Sequence, residues 1–442
     1  MKVLFISLGC DKNLVDSEYM LGNLAKHQFD VTDDESNADV IVINTCCFIH
    51  DAEEESIQTI HEMSAWRAAG PCRALIVCGC LAQRDREEIM EEFPQVDAVL
   101  GTKSTEDIID AVGRTLEGQK YKSYEPLDKI ERHAAGRSIS TGGHYAYLKI
   151  AEGCDRRCTY CVIPLVRGPY HSVPLEDLVS EAEELVSLGV KELILVAQET
   201  TCYGMDLYGE KSLARLLRKL NEIDGICWIR LLYCYPEEIG EDVIDAIRDC
   251  EHVCHYIDLP IQHCNTQILK RMGRRTDKES ILACIASLRE KIPDIALRTT
   301  VICGFPGETD EQHEELLAFI DEMEFDRLGA FCYSREDNTP AAEFPDQIDE
   351  DTKLLWQGDV MELQREVSLD KNEEMIGQSI TVMIEGKVAD ENAYIGRSYR
   401  DAPDVDGYVF VETDKLLMSG DFVDVTITGA YEYDLIGKPA GG

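Results

Sequence analysis

From residue 2 to about residue 120, short apolar runs alternate with stretches of helical pattern. The runs are KVLFISLG, ADVIVINT, RALIVCG and VDAVLG, and the stretches between them include DSEYMLGNLAKH and EEESIQTIHEMSAWRAAG. Strands alternating with helices predict a doubly wound parallel α/β sheet. The segment GQKYKSYEPLDKIERHAAGRSISTGGH then loses periodicity and gathers Gly, Ser and charge, which predicts a linker.

A second alternation runs from about 145 to 335. Its apolar runs are YAYLKIA, ELILVAQ, WIRLLYC, YIDLPIQ, LRTTVICG and RLGAFCYS, separated by helical patterns such as VPLEDLVSEAEELVSLG and ESILACIASLREKI. Six βα units predict a partial (β/α)6 TIM-like barrel, open on one side, with active residues at the carboxyl ends of its strands. The stretch DEDTKLLWQGDVMELQREVSLDKNEEM follows as a connecting helix. The last 65 or so residues are short strands broken by Gly and Asp, which predicts a small antiparallel OB-like β-barrel. The expected domains are 1–125, a linker at 126–143, 144–372 and 373–442.

A length of 442 residues suits three such domains, and 44% apolar residues suit buried cores. No apolar stretch reaches the roughly 18 residues a membrane span needs. The opening MKVLFISLGC has too short an apolar stretch and a single Lys, and DKNLVDSE stands where a cleavage site would be. It reads as a first strand, and a cytoplasmic protein with no membrane partner is expected. In a reduced compartment, clustered cysteines among the 18 point to metal or catalysis rather than disulfides. Cys227, Cys234, Cys250, Cys254, Cys284, Cys303 and Cys332 lie in apolar runs and are expected in cores. A net charge of −42 repels polyanions, so a basic partner is expected and RNA binding is not.

Cys154, Cys158 and Cys161, in AEGCDRRCTYC, have the spacing C-x-x-x-C-x-x-C directly after the first barrel strand. Thiolates hold iron–sulfur clusters, and three ligands leave one iron of a four-iron cubane open to a small molecule. Zinc held by these three and His171 is the competing arrangement. Further strand ends offer Gln198, Glu199 and Thr200 in LVAQETTCYG, and Arg298, Gly304 and Glu308 in LRTTVICGFPGET. These are expected to face the pocket and the cofactor, with Gly304 and Gly307 allowing close backbone approach. The first segment has its own set: Cys10, Cys46 and Cys80 each end a predicted parallel strand, and such ends converge on one crevice. They suit a second cluster with an open iron, although Cys47 and Cys78 stand nearby as alternative ligands. Alternation along the strand puts Cys78 on the face of Cys80 but deeper in the sheet, so Cys78 is expected in the core.

The triplet, with Tyr160 as the aromatic before its last cysteine, resembles the radical S-adenosylmethionine (SAM) signature. That resemblance implies a 4Fe-4S cluster on Cys154, Cys158 and Cys161 whose open iron chelates SAM, and a 5′-deoxyadenosyl radical that abstracts hydrogen. SLGCDKNLVDSE, NTCCFI and CGCLAQR ahead of the triplet are similar, across essentially the whole chain, to the methylthiotransferases. Membership implies a second 4Fe-4S cluster on Cys10, Cys46 and Cys80, a C-terminal TRAM domain, two molecules of SAM, and outside donors of sulfur and low-potential electrons. One branch of that family acts on tRNA adenosine, the other on the β-carbon of an aspartate in small-subunit ribosomal protein twelve. SLGCDKNLVDSE, VAQETTCYG and GRSYRDAPDVDG resemble the second branch. Residues 372–442 carry 14 Asp or Glu against 5 Lys or Arg, a charge suited to a basic ribosomal protein rather than to tRNA. A solvated acidic surface without a recognition role is the plainer reading of that charge. An iron–sulfur electron carrier with an RNA-binding tail would explain both cysteine sets, but not the barrel or the acidic tail. Asp11, Cys47 and Cys264 depart from the usual Pro, small residue and Gly; the last bears on a pocket loop, since a glycine position often needs positive φ.

Overall fold

The four apolar runs of the first segment become β1 (Lys2–Ser7), β3 (Val40–Thr45), β4 (Ala74–Gly79) and β5 (Ala98–Leu100) in the computed structural model, which describes residues 1–130 and 136–441. Two strands too short to show a pattern, β2 (Asp30–Thr32) and β6 (Tyr121–Ser123), complete a six-stranded sheet of order β2-β1-β3-β4-β5-β6. Every pairing in it is parallel. Strand β6 falls inside the stretch read as linker, and residues 131–135 of that linker lie outside the described residues. All six residues of β3 and of β4 are buried, as expected of central strands covered on both faces. Helix α1 (Asp11–Lys26) contributes Met20 and Leu24 to the core on one face, and α2 (His50–Ala69) contributes Ile60 and Met63 to the other.

The described chain forms two compact units. One holds residues 1–140, 151–171 and 334–342, and therefore joins the first sheet to the Cys154–Cys161 loop; the other holds 141–150, 172–333 and 343–442. In the second unit all six predicted barrel strands are present: β7 (Tyr145–Lys149), β8 (Glu192–Val196), β9 (Trp228–Leu231), β10 (Val253–Asp258), β11 (Ala296–Cys303) and β12 (Arg327–Cys332). They pair in parallel and in chain order, as a right-handed succession of βα units requires. The connecting helix spans Glu350–Glu373, and Asp349 caps it by accepting the Thr352 N–H at 2.9 Å.

The C-terminal strands, β13 (Ser379–Lys387), β14 (Ala393–Ser398), β15 (Val409–Glu412), β16 (Phe422–Ala430) and β17 (Leu435–Pro439), close a barrel of order β13-β14-β15-β17-β16. The expectation of a purely antiparallel barrel needs one correction, because β15 and β17 pair in parallel. That pairing is how a five-stranded Greek key brings its last strand back beside its third. Among the described residues no helix is long and apolar enough to cross a membrane.

Charged residues of this small barrel are buried against the amino ends of the larger one. Glu192, the first residue of β8, accepts from Arg230 Nε and Arg397 Nη2, both at 2.7 Å, and all three side chains are fully buried. Arg397 also meets Glu385 at 2.6 Å, Arg327 meets Asp401 at 2.6 Å, and Arg400 meets Asp326 at 2.8 Å. Burial alone would raise the Glu192 carboxyl, but Arg397 and Arg230 outweigh it and hold it below its ordinary value. Asp401 is likewise buried, and Arg327 and Ser398 hold it down.

Removing one partner of such a group strands the others without counter-charge. Glu192→Ala is expected to cost about 3–5 kcal/mol, read as a lower urea midpoint. Depressed carboxyls stabilise the fold above their unfolded values and stop doing so as pH falls through their folded ones. Acid unfolding followed by tryptophan fluorescence should therefore begin only below about pH 4, and at higher pH in Arg327→Met, which releases Asp401.

Candidate active site

Cys10, Cys46 and Cys80 are brought to one place by the sheet's topology. The chain order reverses between β1 and β3, and in doubly wound sheets the ligand crevice opens at such a switch point, beyond the strands' carboxyl ends. Cys10 follows β1 and occupies the N-cap position of α1; Cys46 follows β3; Cys80 opens the short helix α3 (Cys80–Asp85) after β4. Gly9 precedes Cys10 with φ +82°, and a Cβ there would lie 2.5 Å from Cys46 Cβ and 2.7 Å from its Sγ. Gly79 precedes Cys80 with φ +95°, and a Cβ there would lie 2.3 Å from Asn44 Oδ1. Only glycine makes these turns without strain.

The same turn overturns the expectation that Cys78 shares a face with Cys80. Cys78 packs beside Val42 and Ile76, whereas Cys80 packs with Val77 on the opposite face. Strand alternation stops at Gly79, so the period of two does not carry across it. Cys78 is a core residue, with its thiol directed at Met20 Sδ and the Ile43 carbonyl. Cys47 is also buried. Of the cysteines expected in cores, Cys234, Cys250, Cys254 and Cys303 are buried, while Cys227, Cys284 and Cys332 are only partly so.

A polar network holds the crevice. Asn13 donates to the carbonyls of Leu8 at 2.7 Å and Thr45 at 3.1 Å, which flank the Cys10 and Cys46 turns. Asn44 donates to Asn13 O and Ser17 Oγ, both at 2.9 Å, and Ser56 Oγ bonds both the N–H and the C=O of Cys46. Arg167, 2% exposed, donates from Nε to Cys80 Sγ at 3.3 Å, from Nη2 to Asn13 Oδ1 at 2.7 Å, and from Nη1 to Asp16 at 2.5 Å and Glu152 at 3.3 Å. Glu18 accepts from Arg137 and from the Ser140 N–H and hydroxyl, which anchors the described end of the predicted linker. The string CDKNLVDSE therefore buries Asn13, Asp16, Ser17 and Glu18, the polar half of an otherwise ordinary helix.

The second set lies on the loop after β7. Gly153, with φ +80°, precedes Cys154, and a Cβ there would sit 2.0 Å from Pro169 O. The loop closes through Cys154 N–H to Gly168 O at 3.0 Å, and the Cys161 N–H reaches Cys158 O at 3.1 Å. Segment 334–342 of the same unit docks on it through Ala341 N–H to Thr159 O at 2.8 Å. Tyr160 is half-buried between Cys158 and Cys161.

Burial raises the Cys80 thiol to about 12, against the pull of Arg167; the nearby Cys46 and Cys10 add to the rise. Cys46 is raised by burial and by Cys10, and Cys161 by burial, Cys158 and Cys154. The raised thiols thus feel the charge of their own trio, which a cationic centre held among them would offset. The donors are soft sulfurs, a cation, Arg167, is hydrogen-bonded to that of Cys80, and Gly9, Gly79 and Gly153 carry no Cβ into the turns. This chemistry fits an iron–sulfur cluster at each trio. Among the described residues no three ligand side chains meet at one point, as a single ion would need; a cubane spreads its cysteines over different irons.

In the second unit, Gln198 and Glu199 follow β8, and Gly304 and Glu308 follow β11. Glu308 accepts the N–H groups of Gly304 at 2.8 Å and Phe305 at 3.0 Å and meets His263 Nε2 at 3.2 Å, so it shapes its own turn. Glu199 accepts the Thr201 N–H at 3.1 Å. Arg298 is not at a carboxyl end as expected: it is the third residue of β11, pairing with Asp258 at 2.8 Å and Asp406 at 3.3 Å. Cys264 is outside the left-handed region; Gln262, with φ +69°, takes that conformation instead.

The sequence matches the family described as "Uncharacterized protein family UPF0004" over residues 2–101, the Radical SAM superfamily over 148–320 and the TRAM domain over 376–439. Its fold is similar to that of the radical S-adenosylmethionine methyltransferase TsrM from Kitasatospora setae, with TM-score 0.56 over 85% of this chain and 78% of the other. At 14% identity that likeness concerns the fold alone. Parallel barrel, strand-end cysteine loop and these matches define a radical SAM protein. The chain is 56% identical to ribosomal protein uS12 methylthiotransferase RimO of Lachnoclostridium phytofermentans, and 49% identical to RimO of Pelotomaculum thermopropionicum, over 99% of each chain. It belongs to the RimO family of methylthiotransferases.

Gly79→Ala is expected to cost about 1–3 kcal/mol in strain and to speed alkylation of Cys80, read by peptide mass spectrometry. Gly113→Ala, whose Cβ meets nothing within 4 Å, should leave Cys80 labelling unchanged.

Proposed function

We propose that the chain inserts a methylthio group at the β-carbon of one aspartate of ribosomal protein uS12, holding one 4Fe-4S cluster on Cys154, Cys158 and Cys161 and a second on Cys10, Cys46 and Cys80. The observation that carries this reading is that both trios, each built on Gly–Cys turns, belong to one compact unit. When bound, the clusters and SAM supply hydrogen abstraction and a transferable sulfur carrying a methyl group. The chain's own part is positional. Gly9 and Gly79 turn Cys10 and Cys80 into the crevice, Gly153 turns the chain into Cys154, and Asn13 and Ser56 fix the backbone beside Cys10 and Cys46. Gln198, Glu199 and the Gly304–Glu308 turn are the barrel strand-end residues we assign to SAM. Arg298 is engaged by Asp258 and Asp406, and no cofactor contact is assigned to it. Sulfur and low-potential electrons come from outside donors, and a ribosomal substrate places the reaction in the cytoplasm.

Charge supports a basic protein as substrate over tRNA. Of the five basic residues in 372–442, Arg397 and Arg400 are buried in ion pairs, which leaves three lysines against a predominantly acidic surface. Such a surface repels phosphate and steers a cationic partner, chiefly through the encounter rate.

The test is an anaerobic reaction of reconstituted enzyme, reductant, sulfide and SAM with uS12 and, separately, with unmodified tRNA. A methylthio mass gain on one aspartate of uS12 is expected; a gain on adenosine alone would overturn the assignment. Iron analysis should find about eight irons per chain, and about four after replacing either trio by alanine. Glu391→Gln, Asp424→Asn and Glu432→Gln together should slow uS12 association roughly two- to tenfold at low salt, with the difference vanishing at high salt.

A further inference from the structure

Arg167 is a buried cation that the radical reaction does not call for. It stands six residues beyond Cys161, yet its Nε donates to Cys80 Sγ at 3.3 Å. Its remaining N–H groups reach Asp16 and Asn13 on the helix that Cys10 caps, and Glu152, two residues before Cys154. Asn13 in turn holds the carbonyls of Leu8 and Thr45 beside the Cys10 and Cys46 turns. One guanidinium therefore touches or braces every turn of the first cysteine trio, while its own backbone belongs to the loop that carries the second.

We infer that Arg167 is the positioning residue that joins the two cysteine trios and sets the reduction potential of the cluster held by Cys10, Cys46 and Cys80. An N–H donated to a ligand sulfur and a nearby positive charge both favour the more negative, reduced state of a cluster, and so raise its potential. The planar fork is specific: a lysine keeps the charge but cannot direct separate N–H groups at a sulfur, an amide oxygen and a carboxylate at fixed angles. Removing the cation also leaves Asp16 and Glu152 beside the cluster without compensation, which pushes the potential in the same direction.

The inference rests on the two-cluster reading, and its test separates the two. In a full-length chain carrying C154A/C158A/C161A, reconstituted with iron and sulfide, the remaining cluster is titrated anaerobically and followed by EPR. Arg167→Gln should keep its iron and show a lower midpoint potential than its parent, and Arg167→Lys should fall between them. In the complementary chain carrying C10A/C46A/C80A, where Arg167 bonds no remaining ligand, the shift should be markedly smaller. An unchanged midpoint in Arg167→Gln, or equal shifts in both chains, would overturn the role given to Arg167. If the glutamine variant does not fold, the lysine variant decides: a lowered midpoint supports the role and an unchanged one overturns it. Failure of the parent to hold iron would instead sink the two-cluster reading, and this inference with it.

Discussion

The crevice at the carboxyl ends of β1, β3 and β4 depends on a backbone constraint. Cys10 and Cys80 are reached through turns that a side chain at Gly9 or Gly79 would block, because the space its Cβ would need is filled by Cys46 and Asn44. Those two neighbours belong to β3 and the turn after it, so the three strand ends are mutually locked. The polar bonds from Asn13 and Ser56 then hold the backbone of each turn where the lock puts it. Desolvation is the counterpart of this closeness: burial raises the thiols of Cys46 and Cys80.

Both units use buried charge, in different ways. In the second unit, acids and arginines are matched in short pairs around Glu192, Asp401 and Asp326. In the first, Arg167 answers Asp16 and Glu152 and still has an N–H directed at a sulfur. The contrast is chemical, since sulfur is a weak acceptor until it is a metal-bound thiolate.

The strand order of the large barrel, the doubly wound sheet and the cysteine sets were readable because each has a period or a spacing. Apolar runs such as VIVINT and ALIVCG are buried end to end, so hydrophobicity alone marks them. What the sequence hid is what depends on a partner far along the chain. Asp16 and Arg167 are separated by 151 positions, and each alone reads as a solvated charge. Cys78 lies in the core as expected, but on the other face, because alternation was carried through a glycine that breaks it; Arg298 was misplaced because the start of its strand, not the end, falls at that position. One signal was available and overlooked: the dipeptide Gly–Cys recurs at residues 9–10, 79–80 and 153–154, each time with positive φ at the glycine.

The pairing of Glu192 with both Arg230 and Arg397 bears on how such chains are inherited. Arg397 comes from the C-terminal barrel, and one of its two counter-charges, Glu192, lies in a strand of the larger barrel. A C-terminal barrel without an arginine at position 397 would leave Glu192 with one of its two cations, so a change at either position has to be matched at the other.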